Sequence, residues 1–235
     1  MVSIPIGVVI LLALKSYLLL CFAGATLLTI FVSANFVISN RKKRLPINII
    51  TIIGLLLGFI YLSIYPDTFS DFYVATFKKQ TDAIQDVAIQ ATIQSDGSGY
   101  ILPGVDDLSL PGIINSLLQS TNVALFRPYF WESHNIMTLL NALESFIVML
   151  FFIWILIKAK FYLFFSVLAK KPILQFAFFF TLILAPMVGF ISLNFGTLVR
   201  YKVPFVPFFY TLLLLSNKLI NKKNKIILKI NGGSI

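Results

Sequence analysis

The sequence predicts an all-α polytopic membrane protein, a helix bundle of about five transmembrane helices with one partly helical extracytoplasmic loop. Of its 235 residues, 58% are hydrophobic and 12% are charged, whereas about 25% of the residues in a soluble domain are charged. Several apolar stretches reach the roughly 20 residues needed to cross the hydrocarbon core. Most of the 19 Lys and Arg residues lie in clusters beside these stretches.

Composition also excludes several classes of protein. A formal net charge of +10 raises the alternative of nucleic-acid binding, but the positive residues are distributed by topology, so we expect no nucleic-acid partner. Cys21 and His134 are the single cysteine and the single histidine, so no intrachain disulfide or zinc site is expected. Nucleotide and hydrolase motifs are absent from the sequence, and we predict no cofactor and no metal.

Five stretches are predicted to span the membrane. The first covers residues 17–39 and extends a shorter apolar stretch, residues 4–14, into one long tilted helix. The other four cover residues 46–65, 136–157, 172–193 and 198–220. The segment 161–169 is too short to cross and is predicted to lie in the interface. The N-terminus lacks the basic residues of a signal peptide, and its abrupt apolar start is consistent with the C-terminal part of a longer membrane protein.

The basic residues beside the spans predict the orientation, because Lys and Arg stay preferentially on the cytoplasmic side. The clusters are Arg41, Lys42, Lys43 and Arg44; Lys158, Lys160, Lys170 and Lys171; and Lys218, Lys222, Lys223, Lys225 and Lys229. One topology places all of them inside, with the N-terminus outside and the C-terminus cytoplasmic. Membrane lipids are therefore predicted partners, and the last cluster is suited to anionic lipid.

This topology divides the chain into four parts. They are two spans in residues 1–65, an acidic extracytoplasmic loop in residues 66–135, three spans in residues 136–220 and a basic tail in residues 221–235. The loop contains every acidic residue except Glu144. Apolar residues near helical spacing predict one or two amphipathic helices in it, and Pro111 is suited to begin a short helix that ends near Gln119.

The stretch "LFRPYFWESHN" is the first candidate for a functional site. A residue before proline is pushed out of the helical region, so Arg127 is expected in extended backbone with its side chain free to reach a ligand. Tyr129, Phe130 and Trp131 are typical of the aromatic belt at a membrane surface. A stacking platform for a sugar is the alternative interpretation of the same three rings.

Glu144 is the second candidate, because it lies inside a predicted span. It follows Ile136 by eight residues, which places it about 12 Å below the outer surface at ~1.5 Å per residue. A lipid-exposed carboxylate at that depth costs several kcal/mol, so we expect Glu144 to face the bundle interior, a water-filled cavity or a cationic partner, or to be protonated. The cations available are Lys15, Arg200 and Lys202.

Arg200 is the preferred partner, because its planar guanidinium binds a carboxylate or a phosphate with two hydrogen bonds. Two interpretations stay open. In the structural one, Glu144 and its partner only hold helices together. In the functional one, Arg127, Arg200 and Lys202 surround the phosphate of a lipid-linked substrate, with Glu132 or Glu144 as acid, base or orienting group.

The combination of "LFRPYFWESHN" and "NALES" with the later "NFGTLVRYKVPFVPFF" resembles multi-pass bacterial inner-membrane proteins associated with cell-surface polysaccharide or glycoconjugate assembly. The likeness covers residues 125–210, and the matching positions are Arg127, Pro128, Trp131, Glu132, Glu144, Arg200 and Tyr201. It implies the bacterial cytoplasmic membrane, a polyprenyl-phosphate-linked saccharide as ligand and a glycosyltransferase-like or polymerase-associated role. Multi-pass glycosyltransferases that act on polyprenyl-phosphate sugars use an acid at the lip of an outward cavity, and Asp67 resembles such an acid. The alternative is that this stretch only begins a helix, with Thr68 and Asp71 as its capping pair.

Two other functions are compatible with the same sequence. The long acidic loop has no recognisable catalytic set, so the protein could be an assembly subunit that docks a membrane partner through this loop. Lys15 and Glu144 are also compatible with the path of a small transporter. A transporter is less favoured, because the chain has no repeated halves with matching broken helices.

Overall fold

The computed structural model describes residues 16–64, 100, 102, 110–192 and 194–232. All regular structure in these ranges is helical, as the sequence predicts. The elements are α1 (Ser16–Val37), α2 (Arg41–Ile64), α3 (Leu110–Phe126), a short 3-10 helix (Phe130–Glu132), α4 (Ile136–Ala159), α5 (Tyr162–Ala169), α6 (Pro172–Ile191), α7 (Phe195–Lys202) and α8 (Val206–Gly232).

Three of these helices, α1, α4 and α6, are long and apolar enough to cross a membrane, and α7 with α8 forms a fourth candidate if the bent pair is one span. Such helices are compatible with a multi-pass membrane protein. The count of five spans stays a prediction. Its second span, residues 46–65, corresponds to α2, a helix that begins with four basic residues and contains Pro46.

The predicted last span, residues 198–220, is not one continuous helix. The chain turns at residues 203–205, and α7 meets α8 at a bend of 66°. Pro204 lies in this turn, where it lacks the backbone N–H that a continuous helix would need and its ring would crowd the preceding turn. Lys202 lies before the bend and Tyr210 after it, and both side chains line the same pocket.

The helix α6 forms the centre of the bundle and packs against α1, α3 and α8. In its apolar window 67% of the residues are buried, against 17% in α4. Most of α4 therefore faces outward. The large buried side chains of the core include Leu174, Leu184 and Val188 of α6 together with Phe205, Leu213 and Ile220.

The helices α3 and α6 cross in close contact at Gly189. A Cβ atom on this glycine would lie 2.0 Å from the backbone oxygen of Ser120, so only a residue without a side chain allows the two backbones to approach. The predicted short helix from Pro111 to Gln119 was too short, because α3 continues to Phe126. Its second half, with Val123 and Ala124 buried, packs into the core.

The bundle has two ends, which we name by their residues. The basic end contains Arg41, Arg44, Lys170 and Lys171, where α1 meets α2 and α5 meets α6. The aromatic end contains Tyr129, Phe130, Trp131 and Phe195, where α3 leads to α4 and α6 leads to α7. The predicted topology places the basic end in the cytoplasm and the aromatic end outside, and this orientation stays a prediction.

Candidate functional site

The aromatic end is organised by the loop between α3 and α4. After α3 the chain passes through Arg127 and Pro128 into the 3-10 helix, and α4 then begins after Asn135. The Asn135 side chain accepts a hydrogen bond from the Thr138 backbone N–H at 2.8 Å, and the Thr138 hydroxyl accepts one from the Asn135 N–H at 3.1 Å. This reciprocal cap defines where α4 begins and therefore the height of Glu144 on it.

Arg127 and Glu132 form an ion pair within this loop. The guanidinium Nε of Arg127 donates to Oε1 and Oε2 of Glu132 at 2.9 and 3.0 Å, and its Nη2 contacts Oε1. Glu132 also accepts a hydrogen bond from the Tyr129 backbone N–H at 2.9 Å. The two side chains are 19% and 15% exposed. The expectation that the Arg127 side chain would be free is therefore wrong, because its nearest acid lies only five residues away.

Aromatic rings enclose the same guanidinium. Its carbon atom lies 4.9 Å from the ring centre of Tyr100 and 5.8 Å from that of Phe195, and these two rings stack on each other at 5.3 Å. Such cation–π contacts stabilise a partly desolvated arginine. Burial raises the pKa of Tyr100 above its usual range, although its contacts with Ser192 and Arg127 lower it. Its phenol stays neutral and donates to the Gly189 carbonyl at 3.4 Å.

Glu144 lies on α4 and contacts α8. The hydroxyl of Tyr210 donates a hydrogen bond to its Oε1, and Lys202 lines the same pocket and interacts with Glu144 electrostatically. Lys202 is buried, whereas Arg200 is exposed in the last turn of α7. The preferred pairing of Glu144 with Arg200 is wrong, because Arg200 does not line this pocket and the ion pair among the described residues is that of Arg127 with Glu132. Residues two apart on a helix do not share a face, so α7 turns Lys202 and not Arg200 toward the pocket.

The first alternative expected from the sequence, that Glu144 faces the bundle interior, is not found, because its side chain is exposed. It nevertheless lines the pocket together with Lys202 and Tyr210, so it borders a cavity and a cation, as the other two alternatives expected. The cavity volume is about 10 Å³, which is close to the minimum for one water molecule. A larger ligand at Glu144 would therefore lie on the outer surface, with a single small group in the pocket.

The ion pair and the Glu144 pocket adjoin each other. Ser145 lines the pocket, and its hydroxyl donates to the backbone oxygen of Arg127 at 3.3 Å. Ala124 and Leu125, just before Arg127, line the pocket too. The structure thus brings Arg127, Glu132, Glu144 and Lys202 to one end of the bundle.

Trp131 is the most exposed ring of the aromatic end, at 77%. It stacks on Tyr129 with 4.8 Å between ring centres, and Tyr129 exchanges hydrogen bonds with the Asn122 side chain at 2.9 and 3.2 Å. The stack is therefore held in place while one face of Trp131 stays open. Both interpretations of these rings, belt and stacking platform, remain compatible with this geometry.

Sequence reasoning missed three residues of this end, namely Tyr100, Phe195 and Tyr210. The only available signal for Tyr210 was a phenol within the apolar stretch "PFFYTLLLL", because a buried tyrosine hydroxyl usually needs a partner. No local signal marks Tyr100 or Phe195 as partners of Arg127. Two predicted candidates, Asp67 and Lys15, lie outside the described residues.

No protein-family model, no curated protein and no solved structure matches the chain. The resemblance to proteins of surface-polysaccharide assembly therefore stays a prediction.

Proposed function

We propose that the protein binds the head group of a lipid-linked saccharide at its aromatic end, as a multi-pass protein of the bacterial cytoplasmic membrane that acts in surface-glycan assembly. The strongest support for this proposal is the surroundings of the Glu144 carboxyl. This carboxyl is exposed on an apolar, outward-facing helix, bonded to the Tyr210 phenol and close to the buried Lys202.

The chemistry of this carboxyl favours a ligand with hydroxyl groups. A carboxylate that faces lipid costs several kcal/mol. Tyr210 and Lys202 offset part of that cost, but both lie on the pocket side of the carboxylate. A carboxylate has about four acceptor positions, so the outward side of Glu144 can accept further hydrogen bonds. Saccharide hydroxyls supply them, and a polyprenyl chain would bring a saccharide to this surface from within the membrane.

The groups near Glu144 have distinct roles in the proposed binding of the ligand. The Lys202 ammonium attracts the phosphate of the ligand, and the open face of Trp131 stacks on a sugar ring. Arg127 and Glu132 position the loop that carries Trp131, since the functional groups of both are engaged with each other. In an enzymatic version, Glu144 is the general acid or base, and Asp67 is a further candidate outside the described residues.

Glycan phenotype and ligand capture test the proposal. In a bacterial strain whose surface polysaccharide depends on the protein, Glu144→Gln and Lys202→Gln are expected to reduce polysaccharide amount or length. A photoreactive polyprenyl diphosphate saccharide should label both purified variants more weakly than the wild type. Lys218→Gln removes an exposed cation farther along α8 and is the matched control. Unchanged polysaccharide and labelling in both pocket variants at wild-type protein level would refute the proposal.

A membrane assembly subunit is the second candidate function, and the outward face of α4 favours it. Exposed residues recur there at alternating spacings of three and four, namely Leu140, Leu143, Ile147, Leu150, Trp154 and Ile157. This spacing is typical of a helix that packs along another helix. Glu144 borders the stripe, so a partner helix with a hydrogen-bond donor at the same depth would satisfy the carboxyl.

Cross-linking within the membrane distinguishes the two candidates. A photoreactive amino acid at Leu143 would capture a defined membrane protein if α4 packs on a partner helix, and Glu144→Leu would weaken this capture. The same amino acid at Leu182, an exposed position on α6, is the control. Capture of lipid alone at position 143 would contradict the assembly role.

A further inference from the structure

A second polar cavity lies at the basic end, between α1 and α2. Its volume is about 280 Å³, and it is lined by Asn35 of α1 and by residues of α2, namely Arg41, Arg44, Leu45, Asn48, Ile49 and Ile52. We refer to it as the arginine cavity. It is separate from the Glu144 pocket, which lies at the opposite end of the bundle, and no part of the proposed function uses it.

The α2 residues of the arginine cavity follow one face of the helix. Positions 41, 44, 45, 48, 49 and 52 are separated by three or four residues or are direct neighbours, which places them along a single stripe. The stripe begins with two guanidinium groups, continues with the carboxamide of Asn48 and ends with aliphatic side chains. It covers eleven steps, or about 16 Å along the helix axis at ~1.5 Å per residue. A ligand that matches it is anionic at one end and apolar at the other.

The carboxamides hold the wall of the cavity in place. Asn35 Nδ2 donates to Asn48 Oδ1 at 3.3 Å, and Asn48 Nδ2 donates to Asn35 Oδ1 at 3.1 Å. Asn35 also donates to the Phe31 carbonyl at 2.8 Å. For the second amide hydrogen of Asn48, no acceptor occurs among the described residues. One donor of the fixed wall is thus available to a ligand beside the two arginines.

The charge of the two arginines is not compensated by the described part of the chain. Its two carboxylates, Glu132 and Glu144, both belong to the aromatic end, and its ion pair is that of Arg127 with Glu132. Arginine binds phosphate with two parallel hydrogen bonds. Basic pockets between membrane helices are suited to the head groups of anionic lipids.

We propose that the arginine cavity is a binding site for an anionic phospholipid, with its phosphate between Arg41 and Arg44 and its acyl chains along Leu45, Ile49 and Ile52. The aliphatic end of the stripe favours a lipid over free phosphate, because these exposed side chains would gain nothing from an inorganic ion. The half-buried Asn48 donates its second amide hydrogen to the head group.

The test compares two double variants that remove the same charge from the same helical turn. Arg41→Gln with Arg44→Gln changes the cavity, whereas Lys42→Gln with Lys43→Gln changes exposed residues outside it. The full-length protein is purified in a neutral detergent, and retained phosphatidylglycerol or phosphatidylcholine is counted by native mass spectrometry during titration. We expect the wild type and the lysine variant to bind one phosphatidylglycerol with similar affinity, and the arginine variant to bind it at least about tenfold more weakly.

A third variant and a competition arm complete the test. Ile49→Trp keeps all charges and fills the apolar part of the cavity, so it should also weaken phosphatidylglycerol binding. This variant therefore tests the proposal even if the arginine variant does not fold. Inorganic phosphate at millimolar concentration should not displace the lipid, and displacement would assign the site to free phosphate instead. Equal weakening in the arginine and lysine variants would mean non-specific attraction and would overturn the proposal, as would unchanged binding in Ile49→Trp.

Discussion

The hydroxyl of Ser145 donates a hydrogen bond to the backbone oxygen of Arg127 at 3.3 Å. This contact joins the loop that contains the Arg127–Glu132 ion pair to the helix that carries Glu144, the residue next to Ser145. A change in the loop can therefore reach the Glu144 pocket through the backbone of Arg127.

The ion pair of Arg127 with Glu132 is expected to stabilise the folded protein. Removing one partner of a buried pair costs about 3–5 kcal/mol, and partial exposure reduces this, so Glu132→Gln should lower the free energy of unfolding by about 2 kcal/mol. Arg127→Met should have a similar effect, and the double variant should cost less than the sum of the two. Tryptophan fluorescence during denaturation in detergent measures all three, and additive losses would show that the two groups are not coupled.

The contact between α3 and α6 depends on Gly189. A methyl group there would meet the backbone of Ser120, and overpacking of this kind costs about 1–3 kcal/mol, so Gly189→Ala should lower the melting temperature by several degrees. Gly58→Ala is the matched control, because a Cβ at this helical glycine has no neighbour within 4 Å, and alanine is the better helix former. A melting temperature unchanged in Gly189→Ala would contradict this packing.

The Tyr210 hydroxyl is expected to stabilise the exposed carboxyl of Glu144. A hydrogen bond to a charged group contributes about 1.5–3 kcal/mol, so Tyr210→Phe should destabilise the protein by about 1–2 kcal/mol after allowance for exposure of the carboxyl. Tyr162→Phe removes the hydroxyl of an exposed tyrosine and should have no effect. Thermal unfolding measures both, and the effect of Tyr210→Phe should disappear in the Glu144→Leu background.

Trp131 distinguishes an aromatic belt from a stacking platform. Because its side chain is largely exposed, Trp131→Ala should change the free energy of unfolding by no more than about 0.5 kcal/mol. If the ring stacks on a sugar, labelling by the photoreactive polyprenyl diphosphate saccharide should fall severalfold. Trp154→Ala, an exposed tryptophan farther along α4, is the control, and equal labelling in both variants would leave only the belt interpretation.

Local sequence pattern predicted the spans at α1, α4 and α6 and the separate segment at α5, because helix period, apolar length and the positions of Lys and Arg are properties of a short stretch. The same reasoning placed Arg127, Glu132, Glu144, Arg200 and Lys202 in one candidate site. Its errors concern which partner a charged side chain finds. Arg200 was preferred to Lys202, although the choice depends on the rotation of α7, and Arg127 was expected to be free, although Glu132 lies within its reach.

The chain's composition and charge pattern were sufficient to predict an all-helical bundle suited to a membrane, since an apolar stretch of about 20 residues with flanking lysines has few alternatives in water or lipid. Which partner each polar group finds depends on how the helices pack. Tyr210 reaches Glu144 across 66 residues, and Phe195 of α7 reaches Arg127 of the loop between α3 and α4. Such pairs are selected by the close approach of helices at contacts such as Gly189 with Ser120, and no local spacing encodes that approach.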